Sequence, residues 1–345
     1  MEYLQTTLSR DEWLERIFRK SKSQRSFRSA RAALKTFDTF GIEKYGKDVQ
    51  SIVTDLRKNP GDQLYIFLNN FVGFMDNKSP KTIRTYFGWV RSYLRSQGIK
   101  TDLDDVKDFV SFPTQIIERR KALTREIIRK LLDNSKEQRK ALYLTLLSSG
   151  MRVGEALALR KRDFDFTKDP VVVSIPARHT KTKQGRETFI SREAKELLLR
   201  LVKRKSDDDL VFTHQPNNEQ AVHNEEMAFR KLRKRCELLE KYPDGKRFVV
   251  NIHAFRSYFH TKASKIHGQE YANALDGHSS YLGQYYRNTE EERAEMYREL
   301  EPNLLIYSSQ EMAQTQKEMQ SQISLLLTKV DELWTDKQRM ESRKR

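Results

Sequence analysis

The stretch SSGMRVGEALAL, residues 148–159, contains the end of a predicted apolar helix and, shortly after it, an arginine. The pattern EQRKALYLTLLSSG predicts a helix that ends at Gly150, and Arg152 follows two residues later. A guanidinium is a planar, permanently charged fork that matches phosphate oxygens two at a time, which a lysine cannot imitate. Arg152 is therefore a candidate for binding a phosphate.

Downstream of this stretch, five more polar residues complete a set with Arg152. They are Lys181 in HTKTKQGRE, His253 and Arg256 in HAFRSYF, His278 in DGHSS, and Tyr286 in QYYRN. Cleaving a phosphodiester without a metal requires a nucleophile, donors for the non-bridging oxygens and a proton for the departing oxygen. Each residue alone has an ordinary structural explanation, but the order and spacing of all six indicate phosphate chemistry.

Four of these residues would hold the phosphate. Arg152 and Arg256 would clamp it, and His253, three residues before Arg256 in a predicted helical segment, would project from the same face. His278 would add another donor.

The other two residues would make and break bonds. Lys181 lies at the tip of a predicted hairpin between the β-rich segments DPVVVSIPAR and GRETFIS. A mobile ammonium there can reach the minor groove and protonate a leaving 5′ oxygen. Tyr286 would attack the phosphate and become covalently linked to it.

The composition indicates a polyanionic partner. The 345 residues suffice for two domains, and 65 Lys and Arg against 48 Asp and Glu give a formal charge of +17. A mean hydropathy of -0.79 and the lack of an apolar run of about 20 residues exclude a spanning helix. The polar, acidic start MEYLQTTLSRDEW does not resemble a signal peptide. We therefore expect an intracellular, cytoplasmic protein without membrane contact that associates with DNA.

Metal-ligand patterns are weak in this sequence. The single Cys236 excludes a cysteine-based zinc site. His253, His260 and His267 recur every seven residues, but there is no HExxH, no i, i+4 histidine pair and no carboxylate cluster beside them. We expect neither a metal site nor a cofactor.

Residues 12–110 are predicted to form a helical domain. Apolar residues recur at helical spacing in ARAALKTFDTFGIEKY, DQLYIFLNNFVGFM and TIRTYFGWVRSYLRSQG. Ser79 is expected to cap the third of these helices, which begins at Pro80. Around a predicted core stripe of Tyr86, Trp89 and Tyr93, that helix carries the basic residues Lys81, Arg84, Arg91 and Arg95. These charges fit a DNA-facing surface or, as the alternative, a solvated helix face.

The rest of the chain divides into three segments. Residues 111–123, which include SFPTQ and the basic run ERRKA, indicate a linker. Residues 124–308 form a second domain, mostly helical apart from the hairpin, in which Thr124 caps the helix REIIRKLLDNS. The fold class is therefore mainly α with a small β-sheet, an α+β arrangement.

Residues 309–345 carry a heptad pattern. Met312, Met319, Leu326, Leu333 and Met340 fall every seven residues, and Ile323 and Val330 occupy the alternate seam position. Such spacing is typical of a coiled coil, and one amphipathic helix docked on the protein is the alternative.

These segments together resemble the tyrosine recombinases, or phage-type integrases, over residues 80–308. GMRVGEAL is similar to the family's first arginine box, in which an acidic residue three positions on, here Glu155, orients the site. HAFRSYF resembles its HxxR box and LDGHSSYLGQYYR its final GH…Y box. Counting five residues back from Arg186 matches Lys181 to the family's lysine, with Lys183 as the alternative. The YYRNTEEERAEMY continuation resembles archaeal and archaeal-virus integrases.

The tyrosine spacing departs from the family pattern. The family places its tyrosine nine residues after the GH histidine, whereas Tyr286 lies eight residues after His278 and Tyr285 seven. A turn shortened by one residue would put the nucleophile at Tyr286, with Tyr285 as the alternative.

The resemblance implies a helical core-binding domain of the SAM-like type followed by a catalytic domain. It implies DNA contacts from the residues Lys81, Thr82, Arg84, Arg91 and Lys183. It also implies a 3′-phosphotyrosyl intermediate that needs neither metal nor ATP, and a homotetramer on paired DNA sites that integrates or excises a mobile element. The alternatives are a Xer-like chromosome dimer resolvase, a type IB topoisomerase, and an architectural DNA-binding protein without turnover.

Overall fold

The structure is a computed structural model that describes residues 7–58, 61–114, 121–243, 247–278 and 288–307, with Asp62 described by its backbone alone. The chain divides into two compact units, Met1–Ile117 and Glu118–Arg345. The division falls inside the stretch 111–123 that the sequence predicts as a linker. Tyr285, Tyr286 and the predicted heptad segment lie outside the described residues.

The described part of the first unit is helical, as its apolar spacing predicts. Its helices are α1 (Arg10–Ser21), α2 (Gln24–Tyr45), α3 (Val49–Lys58), α4 (Asp62–Phe74), α5 (Pro80–Ser96) and α6 (Leu103–Phe109). Their apolar faces share one core, in which α2 packs against both α1 and α5. This arrangement confirms the predicted helical bundle.

Helix α5 begins as its sequence predicts but buries a different stripe. The Ser79 hydroxyl accepts a hydrogen bond from the Thr82 amide at 3.3 Å, which satisfies one of the free donors of the first turn. The buried residues are Ile83, Phe87, Val90, Tyr93 and Leu94. The prediction of Tyr86 and Trp89 as core residues was therefore wrong in detail, because the true 3–4 spacing runs through Phe87 and leaves those two rings half-buried at the edge.

The described part of the second unit combines helices with one small sheet. Its helices are α7 (Arg125–Asp133), α8 (Glu137–Ser149), α9 (Val153–Leu157), α10 (Arg192–Val202), α11 (Asn218–Arg235), α12 (His253–Asp276) and α13 (Glu290–Leu304). The sheet consists of β1 (Phe164–Asp165), β2 (Val171–Ile175) and β3 (Arg186–Ile190). A mainly helical fold with a small sheet, as predicted from the sequence, is confirmed.

The three strands are antiparallel in the order β1-β2-β3. Val173 pairs with both Phe164 and Thr188, so the predicted hairpin of β2 and β3 is extended by a strand that the sequence did not predict. A strand of two residues is too short to show an alternating pattern, which explains why β1 was missed.

Helix α8 is the centre of the second unit. All residues from Ala141 to Ser149 are buried, and the helix packs against α10, α12 and β3. A helix that is apolar on every side belongs in the interior of a domain. The C-terminal end of α8 is therefore surrounded by other elements of the unit.

The last carbonyls of α8 are satisfied by side chains from two other elements. The hydroxyl of Thr188 donates to Ser149 O at 2.9 Å, and that of Tyr297 donates to Ser148 O at 2.8 Å. Gly150 then turns the chain with a φ of +66°. These contacts place Arg152 directly after the end of a rigid helix.

None of the helices in the described ranges combines the length and the apolar composition that crossing a membrane would need.

Candidate active site

Arg152 and Arg186 are joined by a buried carboxylate. Arg152 precedes α9, where the backbone amide of Arg152 donates to Glu155 Oε2 at 2.8 Å and its Nη1 donates to Oε1 at 2.9 Å. Arg186, the first residue of β3, donates from Nη2 to Glu155 Oε2 at 2.6 Å. Glu155 is 2% exposed, so a single carboxylate aligns two guanidinium groups from different elements.

The pKa of Glu155 reflects this balance. Burial raises this pKa. The hydrogen bond and charge of Arg186, together with the hydrogen bonds from Arg152, lower it by more than burial raises it, so the pKa of Glu155 lies below the ordinary value. Glu155 is consequently ionised near neutral pH and keeps both guanidinium groups in place.

Arg256 is buried in the first turn of α12 and is 3% exposed. Its Nη1 donates to Gly150 O at 2.6 Å and also to the carbonyl of Asp276, while Nη2 lies 3.3 Å from Asp276 Oδ1. Burial lowers the pKa of Arg256 to about 10, against the opposing effect of Asp276. Arg256 therefore remains charged at neutral pH and joins the end of α8 to the end of α12.

Asp276, the last residue of α12, is fully buried and collects several donors. Its Oδ1 accepts from the backbone amide of His278 at 3.0 Å, and its Oδ2 lies 2.9 Å from Nδ1 of His278. Nδ1 of His260 lies 2.9 Å from the same Oδ2, and the two imidazole rings meet edge to face at 5.3 Å. One carboxylate thus holds Arg256 and two histidines.

The pKa of His278 lies below its ordinary value. Burial lowers it most, Asp276 raises it, and Arg256 and His260 lower it again. The imidazole of His278 is therefore neutral near pH 7, although the ring remains half-exposed.

Two glycines make room for these contacts. Gly277 has a φ of +74°, and a Cβ at that position would lie 2.8 Å from Cζ of Arg186. A Cβ on Gly150 would overlap the Phe259 ring and approach Asp276 Cβ to 3.0 Å. Both glycines are needed for their backbone conformation and for the close approach of the site residues.

The structure brings three of the six predicted residues into one network. Arg152 is linked through Glu155 to Arg186, whose Nε donates to Leu275 O at 2.9 Å, next to Asp276. Asp276 in turn holds Arg256 and His278. Together these side chains line a cationic site in which most donors have fixed positions.

The other three predicted residues have different surroundings. His253 is exposed in the first turn of α12, one turn before Arg256. Lys181 is exposed in the connection between β2 and β3 and, among the described residues, has no hydrogen bond or ion pair to the network. The predicted nucleophile Tyr286 and its alternative Tyr285 lie outside the described residues.

Arg186, His260 and Asp276 belong to the network, but sequence reasoning gave them no functional role. Asp276 stands in the quoted DGHSS segment, directly before the glycine, where an acidic residue next to a buried turn was the available signal. His260 was considered only as part of a seven-residue histidine spacing. Their proximity depends on how α12 ends, which no local pattern shows.

His260, Asp276 and His278 also form a set that could hold a metal ion, because each offers a ligand atom and these atoms lie within 4.8 Å of one another. The sequence has no DxD-type carboxylate cluster beside these histidines, and the single carboxylate of this set comes from the end of α12. The same carboxylate, however, is bonded to Arg256. A cation in this position would be repelled by a fixed guanidinium charge at close range.

In the first unit, the predicted DNA-contacting residues are partly engaged within the unit itself. Arg84 lies over the Phe112 ring at 4.7 Å, and Arg91 donates from Nε to the Thr101 hydroxyl at 2.8 Å. The Thr82 hydroxyl shares a hydrogen bond of 2.8 Å with Ser79. The remaining two residues, Lys81 in this unit and Lys183 in the second, are exposed.

Comparison with known proteins agrees with this fold. The model of the Phage integrase family matches residues 121–293, half of the chain. The solved structure of a lambda integrase(75-356) dimer bound to a COC' core site is 14% identical with a TM-score of 0.56, covering 82% of this chain and 100% of that one. A lambda integrase tetramer bound to a Holliday junction is 15% identical with a TM-score of 0.55, covering 83% and 81%. No curated protein sequence matches.

Proposed function

The chain belongs to the phage integrase family and is a tyrosine-type site-specific DNA recombinase, and we propose that Tyr286 is the nucleophile that links it to DNA. Arg152, Lys181, His253, Arg256 and His278 would complete the catalytic set, with Glu155 in support. Integration or excision of a mobile element is the reaction we propose for it.

The observation that carries this proposal is the burial and fixed orientation of Arg256. A protein that only neutralises DNA phosphates can use exposed, mobile cations. Arg256 is instead held by Gly150 O, the Asp276 carbonyl and the Asp276 carboxylate, which fixes the direction of its guanidinium. Donors that are aligned before the substrate arrives are what stabilisation of a charged transition state requires.

The two arginines would share the non-bridging oxygens of the scissile phosphate. Arg152 is 27% exposed, so part of its guanidinium remains accessible although Nη1 is bonded to Glu155. Arg256 would act from the protein side and His253 from the exposed side, whereas the neutral ring of His278 would accept a proton during the reaction. Such a site binds a phosphate that gains negative charge during the reaction.

The proposed reaction has two balanced steps. The Tyr286 oxygen attacks the phosphorus and passes its proton to the neutral ring of His278, the bond from phosphorus to the 5′ oxygen breaks, and Lys181 supplies the proton for that oxygen. A 5′-hydroxyl from a second duplex then gives its proton to Lys181 and attacks the phosphotyrosine, and the Tyr286 oxygen leaves and recovers its proton from His278. The number of phosphodiester bonds is conserved, so the reaction needs no ATP.

A nicked DNA substrate tests the nucleophile. Loss of the short fragment after the nick prevents rejoining, so the protein should accumulate as a covalent adduct that denaturing electrophoresis resolves. Tyr286→Phe should abolish the adduct, while Tyr285→Phe, the matched change of the neighbouring ring, should retain it. An adduct that survives Tyr286→Phe and disappears in Tyr285→Phe would assign the reaction to Tyr285.

We propose that the active assembly is a tetramer on paired sites, by analogy with the lambda integrase tetramer bound to a Holliday junction. Exchange of strands between two labelled duplexes would support it. Relaxation of supercoiled DNA by single protomers without exchange would instead indicate a topoisomerase. Deleting residues 309–345 and measuring the mass of the DNA complex would show whether the predicted heptad segment contributes to assembly.

The proposed DNA contacts are separable from catalysis. Lys81 and Lys183 are exposed, and replacing either with alanine should weaken binding similarly on all sequences. The slope of log affinity against log salt should decrease by about 1 for each phosphate that the protein no longer neutralises. An unchanged slope would remove that lysine from the DNA interface.

A further inference from the structure

We propose that Asp276 is a positioning residue of the recombination site, which holds His278 in the tautomer that carries its proton on Nδ1 and leaves Nε2 free for the substrate. This inference rests on the function proposed above for the same site. It assigns a role to Asp276, whose carboxylate also contacts Nδ1 of His260.

The geometry of the carboxylate determines the tautomer. Asp276 is fully buried and its Oδ2 lies 2.9 Å from Nδ1 of His278. An ionised carboxylate has no proton to donate, so Nδ1 is the donor in this contact. Nη2 of Arg256 lies 3.4 Å from the same Nδ1 and can only donate, but the carboxylate contact is the shorter of the two and sets the position of the proton. In addition, the His278 amide donates to Oδ1 at 3.0 Å, which fixes the residue at both backbone and ring. The second ring nitrogen, Nε2, then lies on the opposite side of a half-exposed imidazole.

Asp276 has other partners besides His278. Nη2 of Arg256 lies 3.3 Å from Oδ1, and Nδ1 of His260 lies 2.9 Å from Oδ2. These contacts, with the two from His278, use the acceptor positions that a carboxylate offers. Because all these donors converge on one buried group, Asp276 couples the orientation of His278 to that of Arg256.

The charge state of His278 complements this arrangement. The charged and titratable groups that face its ring are Asp276, Arg256 and His260, and their sum with burial keeps the pKa below the ordinary value. A neutral His278 with its proton on Nδ1 presents a lone pair at Nε2. That nitrogen can accept a hydrogen bond or a proton from a hydroxyl group during cleavage and return it during rejoining.

Histidine tautomers can be measured directly on the full-length protein. The chain contains seven histidines, so selective ¹⁵N-histidine labelling gives few signals, and the half-exposed His278 can be assigned by its loss in His278→Gln. We expect the Nδ1 of His278 to be protonated and its Nε2 unprotonated at pH 7.5. A proton on Nε2 with an unprotonated Nδ1 would overturn the proposal. Tight Zn²⁺ binding that His260→Gln abolishes would also overturn it, because Nδ1 of His278 would then be a metal ligand.

A kinetic test uses Asp276→Asn. The amide keeps the shape but presents a donor in place of one acceptor, which favours the other tautomer of His278. The rate of covalent adduct formation should decrease by at least about 100-fold, by analogy with the loss of the aspartate that orients a catalytic histidine. The acid limb of the pH–rate profile should also move to lower pH, because the carboxylate no longer raises the pKa of His278.

Two further variants keep this test decisive. Asp165→Asn makes the same chemical change at the end of β1, where the carboxylate accepts from Thr167, and should keep the wild-type rate and profile. Asp276→Glu preserves the charge if Asp276→Asn fails to fold, and should lose rate because the carboxylate is displaced. A wild-type rate and profile in Asp276→Asn or Asp276→Glu would overturn the proposal. If instead neither tyrosine forms an adduct, the proposed nucleophile fails while the tautomer of the free protein remains a separate result.

Discussion

The candidate site contains two buried carboxylates, Glu155 and Asp276, that look alike but hold different partners. Glu155 is bonded to two arginines, whereas Asp276 is bonded to one arginine and two histidines. Arginines keep their charge at every pH of biological interest, while histidines titrate close to neutrality. The half of the site around Glu155 therefore keeps its charges at every such pH, whereas the half around Asp276 responds to pH.

Replacing the arginine in either half should give the largest loss of cleavage rate, and the two replacements should differ most in their effect on stability. Arg256→Ala and Arg152→Ala should each reduce the cleavage rate by about 100-fold or more, because each removes a fixed donor. Arg256→Ala should also lower the free energy of unfolding by about 3 kcal/mol, since it removes the only arginine partner of the buried Asp276 that the described residues provide. Thermal unfolding and single-turnover cleavage measure the two effects.

Arg152→Ala is the matched comparison for stability. Arg152 is partly exposed and Glu155 retains Arg186 as a partner, so this variant should lose only about 1 kcal/mol. Equal losses of stability in both arginine variants would show that the two halves do not differ in this way.

Glu155→Gln should be the next largest change. It removes the charge that compensates Arg186, which is 9% exposed, and should cost about 2–3 kcal/mol at pH 7. Because the pKa of Glu155 is lowered on folding, its stabilisation is present above the ordinary carboxyl pKa of about 4.3 and is lost as pH falls through the folded value. In urea unfolding, the variant and the wild type should therefore converge as the pH falls through that lower range. A constant difference would contradict this assignment.

Gly277→Ala tests the close approach of the Gly277 backbone to the Arg186 guanidinium, where the two halves of the site meet. The new Cβ would lie 2.8 Å from Arg186 in a backbone with positive φ, so both strain and overlap should destabilise the protein. Gly46→Ala is the control, because Gly46 has a similar φ of +63° with nothing within 4 Å of its Cβ position. The control should cost about 1 kcal/mol, and Gly277→Ala should cost more and also slow cleavage. Equal costs would mean that Arg186 moves aside freely.

His278→Gln should give the smallest effect on stability. The pKa of His278 is lowered on folding, so the unfolded chain binds the proton more readily and the stability contributed by the neutral ring is lost as pH falls below about 6.5. Between pH 7.5 and 5.5 the wild type should therefore lose more stability than His278→Gln, measured by denaturation midpoints. A larger loss in the variant would reverse the sign of the assigned shift.

Local patterns were sufficient for most of the secondary structure. The caps at Ser79 and Thr124 and the end of α8 at Gly150 were predicted because each depends on a few neighbouring residues. The stripe of α5 was shifted by one residue, since aromatic rings at the rim of a core look like core residues in a linear pattern. Strand β1 was missed because two residues cannot show a period.

The candidate site was predicted unequally. Arg152, Arg256 and His278 were recognised because short motifs surround them, and the structure joins them through buried carboxylates. Of those carboxylates, only Glu155 was identified in advance. Arg186, His260 and Asp276 were assigned no role because their importance comes from contacts between residues up to 89 positions apart.

Periodicity, caps and side-chain charge are local properties, so the fold class, several helix ends and the residue types available for phosphate chemistry follow from the sequence. The pairing of the residues around SSGMRVGEALAL depends on contacts between distant parts of the chain. The convergence of α8, β3 and the end of α12 buries Glu155 and Asp276, and a buried carboxylate must take whatever donors the fold supplies. For this reason Arg152 is bonded to the buried Glu155, and the orientation of the His278 ring depends on Asp276.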